Sequence, residues 1–242
     1  MLLSGRNKFV SSPFTSEDEL KNMVIKNPNY FFGQSAFCLS KELISESGGF
    51  GEFSDGFAIN ISNRQWFVLC TTLPKHNVWS HIAPQVVKQL IASEQLTTKQ
   101  LLIETIILQL KKNKEIIKIF SDEGYLMNDE SVFTSKVRSV LVEIFEHAPL
   151  VAMPTETISK DLSDWASTLK VNVKFCIVNK YVEDGNSENI IYEIPVYSVP
   201  AECGDGYLNN TRRDTIGKDY PKSQNSVLDR LTDKIDVSEI PY

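Results

Sequence analysis

The chain has 242 residues, 42% hydrophobic and 23% charged, which is enough apolar length for one or two domains around a sizeable core. Its net charge of −6 argues against a protein that holds duplex DNA by charge alone, because phosphate neutralisation requires a basic excess. No apolar run approaches the ~20 residues of a membrane span, and the opening MLLSGRNKFVSSPF lacks the long apolar region of a signal peptide, so a cytoplasmic protein is expected.

Residues 1–15 are polar and read as a loose lead-in. Thr15 or Ser16 can cap a first helix, with Glu17, Asp18 and Glu19 in the turn where carboxylates favour the helix dipole. Leu20, Met23 and Val24 form its apolar face, and Asn27-Pro28-Asn29 ends it. One strand is expected within residues 30–44. A glycine loop at Gly48, Gly49 and Gly51 then runs beside Glu52 to Asp55. Phe57, Ile59 and Ile61 alternate with Ala58 and Asn60, the pattern of a half-buried strand over 56–62. Asn63-Arg64 reads as a two-residue turn, and 65–72 as the return strand.

Ser80 can cap the next helix, with Pro84 in its first turn. Ile82, Val86 and Leu90, with Val87 and Ile91, make the buried stripe; His81, Gln85 and Lys88 share another face. A strongly apolar helix is expected over 97–110, followed by Lys111, Lys112 and Lys114 and a short helix to Phe120. Phe133, Val137, Leu141 and Ile144 are at helical spacing. A strand over 149–153, a helix over 155–170 and a strand over 171–182 imply a parallel pair with a right-handed crossover. A turn at 183–186 leads to a last strand over 190–199, antiparallel to the one before, with Pro195 marking an edge or bulge.

The expected fold class is therefore α/β, a mixed central sheet with flanking helices. Its divisions are a lead-in (1–15), a core (16–92), a helical segment with a β-α-β-β extension (93–200), and a polar tail or linker (201–242) with a short helix near its end. Cys38, Cys70, Cys176 and Cys203 are far apart, with no C-x-x-C pair, and read as reduced core thiols. Trp66, Trp79 and Trp165 read as core residues.

Metal-dependent phosphodiester cleavage needs carboxylates that converge on Mg²⁺ and a Lys or similar group to orient water. A β-hairpin supplies these with an Asp at its first strand and two groups at positions n and n+2 of the second, which share a face. The segment 27–90 resembles the PD-(D/E)XK nuclease-like superfamily in this respect. The residues that carry the likeness are Asn27-Pro28 with Phe31-Phe32, Asp55-Gly56, Trp66 through Leu73, and His76, His81, Ile82 and Gln85. The resemblance implies a restriction-endonuclease-like core, with Asp55 as a metal ligand, Gln85 as a site residue and Glu17 or Glu19 as a helical acid. Lys75, His76, His81 and Lys88 become candidates for nucleic-acid contact.

The departures are as informative as the matches. Cys70 stands where the family pattern has an acid, Thr72 where it has Lys or Glu, and Ser54 where it has Pro. A protonated thiol is a poor partner for a hard cation. The expectation is thus a catalytically degenerate member without a cofactor, which binds a protein partner or nucleic acid in a DNA-processing or defence-type assembly. The alternative is an active Mg²⁺- or Mn²⁺-dependent endonuclease with relocated groups, such as Lys75 or Lys88.

Overall fold

The alternation between Gly56 and Leu69 builds the middle of a five-stranded sheet. The computed structural model describes residues 1–4, 7–46, 55–125 and 128–195. In chain order these form β1 (Leu2–Ser4), β2 (Asn7–Ser11), α1 (Glu17–Lys26), α2 (Pro28–Phe32), β3 (Ala36–Ser40), α3 (Lys41–Glu46), β4 (Gly56–Asn60) and β5 (Gln65–Leu69). A π-helical turn (Val78–Ile82) leads into α4 (Ala83–Glu94), α5 (Leu96–Leu110), α6 (Lys114–Asp122) and α7 (Glu130–Glu146). Then come β6 (Leu150–Thr155), α8 (Lys160–Thr168), β7 (Val173–Ile177), β8 (Asn179–Glu183) and β9 (Asn186–Glu193).

The main sheet has the order β3-β4-β5-β6-β7. The first three strands are an antiparallel meander, whereas β5-β6 and β6-β7 are parallel. The β5-to-β6 crossover carries α4–α7, and the β6-to-β7 crossover carries α8. The molecule thus has the mixed α/β class read from the sequence. Both sheet faces are covered, which is why β5 reads as a nearly continuous apolar run rather than an alternating one. Trp66 and Val68 pack with Phe57 and Ile59 under α4–α8. Phe67, Leu69 and Ala58 pack on the other face against Leu20, Val24, Phe31 and Phe32 of α1 and α2.

Several expectations change. Residues 1–15 are not all loose: β1 and β2 join β8 and β9 in a second, antiparallel sheet, held by pairs such as Phe9 with Glu183. Pro28 does not simply end α1. It starts α2, where a missing N–H costs nothing. The first hairpin strand stops at Asn60, because its Oδ1 accepts from Ser62 Oγ and Asn63 N–H; Asn60 then pairs with Gln65, so the connection has four residues rather than two. The strand expected over 171–182 is broken at Val178, with β7 in one sheet and β8 in the other. Asn77, not Ser80, caps the next helical segment, accepting from Ser80 N–H. Trp79 is 55% exposed, whereas Trp66 and Trp165 are buried as expected. Cys70 and Cys176 are buried free thiols and Cys38 is half-buried and free. The strand expected over 190–199 is β9, which begins at Asn186 and ends at Glu193; Glu52, Ser54, Cys203 and the tail from 201 lie outside the described residues. No described helix is long and apolar enough to cross a membrane.

Candidate functional site

The site is built where β4 begins and β5 ends. Asp55 immediately precedes β4 and is 8% exposed. Its Oδ2 accepts a hydrogen bond from the Thr71 backbone N–H, which ties the two strand ends together. Gly56 makes this possible. Its φ of +137° is a glycine conformation, and a Cβ there would lie 2.2 Å from the Leu39 carbonyl oxygen of the paired strand.

Beyond β5 the chain continues to hydrogen-bond along β6. Cys70 N–H donates to Ala152 O at 2.9 Å and Thr72 N–H to Pro154 O at 3.0 Å. Residues 70 and 72 are therefore in strand register and share a face, as the hairpin argument requires. Cys70 lies on the side covered by α4, and its Sγ is 2.8 Å from Gln89 Oε1. Burial, and after it the charge of Asp55, pushes the thiol far above its ordinary range, so Cys70 is a neutral donor to Gln89. Thr72 is buried, and its hydroxyl has no hydrogen-bond partner among the described residues.

α1 supplies the charges around Asp55. Lys21 is buried, with its Nζ 2.6 Å from Asp18 Oδ1 and 3.9 Å from Glu42 Oε1. Burial disfavours its charge, but Asp18, Asp55 and Glu42 outweigh that, and the ammonium is held above its usual range. At Asp55 burial wins over the neighbouring charge. Burial raises its carboxyl to about 6, against the pull of the Thr71 N–H and the Lys21 ammonium, and the Glu17 charge adds to the rise.

The two candidate helical acids divide. Glu17 faces the site: its charge acts on Asp55, and its Oε1 lies 2.7 Å from His76 Nδ1. Glu19 is engaged elsewhere. It accepts from Thr15 N–H and Thr15 Oγ1 at 2.8 Å each and pairs with Lys180. The His76 and His81 rings meet edge to face with centroids 5.1 Å apart. Lys75, His81 and Lys88 are exposed and Gln85 is half-buried.

Two residues escaped the sequence reading. Gln89, one turn after Gln85, is the amide that reaches Cys70. Lys21, not Lys75 or Lys88, is the ammonium that acts on Asp55. Both had a signal. Lys21 precedes Val24 by three and follows Glu17 by four, and Gln89 follows Val86 by three, so each borders an apolar helix face.

The donor set does not suit Mg²⁺. Near Asp55 the strand offers a neutral thiol and a hydroxyl where hard, charged oxygens are needed. Lys21 is already paired with Asp18 on α1 and lies 3.9 Å from Glu42 on α3. Among the described residues, no group of three His, Cys, Asp or Glu side chains is placed to hold a metal ion. An open depression of about 670 Å³ lies elsewhere, between α5 and the start of α7, and is lined by Ile107, Lys111, Thr134 and Arg138; no candidate residue borders it. No family model, curated protein or solved structure matches this chain.

Proposed function

We propose that the chain is a catalytically degenerate nuclease-fold protein of the PD-(D/E)XK-like type. It acts as a binding module for a protein partner or nucleic acid in a DNA-processing or defence-type assembly. The observation that carries the reading is Cys70, which stands in register at the hairpin position where cleavage needs an acid and donates as a neutral buried thiol to Gln89. The supporting frame is Asp55 at the head of β4, the middle strand of an antiparallel meander whose last strand is followed by a parallel strand after a helical crossover. Three carboxylates (Asp18, Glu42 and Asp55) act on the single Lys21 ammonium and a fourth, Glu17, acts on Asp55, an excess of negative charge that disfavours phosphate at this end of the sheet.

Titration with Mn²⁺, read by the loss of its free-ion paramagnetic resonance signal, tests the reading. The wild-type chain is expected to show no site tighter than about millimolar, the weak range of hard-cation sites. A tighter site that disappears in Asp55→Ala overturns it.

One observation favours the alternative of an active endonuclease with relocated groups: Lys21 and Glu17 both act on Asp55. Under that reading Lys21 replaces the missing strand lysine, and Asp55→Ala and Lys21→Met each abolish cleavage.

A further inference from the structure

The chain connections between the second sheet and the rest of the molecule gather at one end of that sheet. Residues 12–15 lead from β2 into α1, and Val178 leads from β7 into β8. These connections run side by side, because Ser12 N–H donates to Lys180 O at 3.0 Å. Asn179 pairs with Glu193, so the last residue of β9 lies at the same end. Among the residues of β1, β2, β8 and β9 only Phe9 and Lys180 are buried, whereas every residue of β4 is buried. Few buried side chains mark a segment that opens locally at a lower free energy than a core strand. A latch sits at the joined end. The Lys180 side chain is 7% exposed, and its Nζ pairs with Glu19 Oε1 and lies 5.7 Å from the Phe14 ring centroid. Phe14 in turn stacks on Tyr192 of β9. Glu19 also organises the start of α1. Its Oε2 accepts from Thr15 N–H and Thr15 Oγ1, and its own N–H donates to Ser16 Oγ at 3.2 Å. That exchange of bonds resembles a capping box and fixes the first helical turn. The same turn carries Glu17, whose Oε1 reaches His76.

We propose that the second sheet is a hinged flap, latched onto α1 by the buried Lys180–Glu19 pair, and that its release loosens the α1 turn that holds Glu17 at the site. A buried pair suits a latch, since removing one partner leaves the other charge without compensation. Opening carries Lys180 away with β8, and water at the freed Glu19 carboxylate then competes with its bonds to Thr15. The hinge line runs where Ser12 and Lys180 meet, so the strands can swing as one layer with their own ladder intact. The flap is independent of the binding-module reading and requires only that Glu17 and Glu19 share one turn.

Hydrogen–deuterium exchange of the full chain, read by mass spectrometry at neutral pH, tests the proposal. In wild type the amides of β2, β8 and β9 are expected to exchange together, about tenfold or more faster than those of β4 and β5. Lys180→Met is expected to speed exchange about tenfold further in these strands and in residues 15–20, and to leave β4 and β5 unchanged. Three results overturn the proposal: a second sheet as protected as β4 and β5 in wild type, an equal loss of protection in every element of the variant, or a variant whose residues 15–20 exchange as in wild type. The wild-type comparison decides on its own where Lys180→Met does not fold.

Discussion

Replacing Asp55 by Asn should stabilise the fold at neutral pH. The carboxyl is raised from an ordinary 3.8 to about 6, chiefly because it is buried. An acid raised in the folded state holds its proton more tightly there than in the unfolded chain. Its contribution to stability is therefore complete below pH 3.8 and is lost as pH climbs through 6. A gap of roughly two pH units corresponds to about 3 kcal/mol. Asn imitates the protonated form, since its Oδ1 can still accept from the Thr71 N–H. The substitution should raise the unfolding free energy by about 3 kcal/mol at pH 8 and by almost nothing at pH 3.5. Urea titrations followed by tryptophan fluorescence at both pH values measure this directly. An Asp55→Asn chain no more stable than wild type at pH 8, or a difference that ignores pH, would refute the account of the site as a desolvated carboxyl. The wild-type chain gives up this stability by keeping a charge there, as sites retained for binding or catalysis do.

Three further substitutions probe the frame around Asp55 by the same urea titrations. Gly56→Ala places a Cβ 2.2 Å from the Leu39 carbonyl oxygen at a φ of +137°, and should cost at least about 3 kcal/mol or prevent folding. Cys70→Glu would bury a carboxylate against Gln89 and apolar side chains and should cost about 3–5 kcal/mol at pH 8, less in acid; an unchanged midpoint would show that the pocket accepts a charge. Asn60→Ala removes the acceptor of Ser62 and Asn63 and the donor to the Phe32 carbonyl, with an expected loss of about 2–3 kcal/mol.

The parts of the fold legible in the sequence are those whose signals are local. Phe57 and Ile59 alternating with Ala58, and Pro84 in the first turn of α4, are read within a few residues and lie where expected. The second sheet is not local: β2 pairs with β8 some 170 residues away, and nothing in Leu2–Ser11 announces such a partner. Val178 looks like one more strand residue, yet the chain there changes sheets, and only tertiary pairing separates β7 from β8. Trp79 departs from its expected burial for a related reason. Composition favours burying a tryptophan, whereas the π-helical turn buries Val78 and Ile82 and leaves the indole between them outside. At the site, the strand positions of Asp55, Cys70 and Thr72 follow from hairpin register. Lys21 and Gln89 depend on which face of a helix meets the sheet, which helical periodicity constrains only to within a turn.

The central claim is the loss of cleavage at the Cys70 position. The most direct test is to incubate the purified full chain with supercoiled plasmid and single-stranded DNA in Mn²⁺ and separate the products on gels beside the Asp55→Ala variant. The account predicts that both substrates remain intact with either protein. Nicking or degradation by wild type that vanishes in Asp55→Ala would contradict it and establish a working nuclease that depends on Asp55.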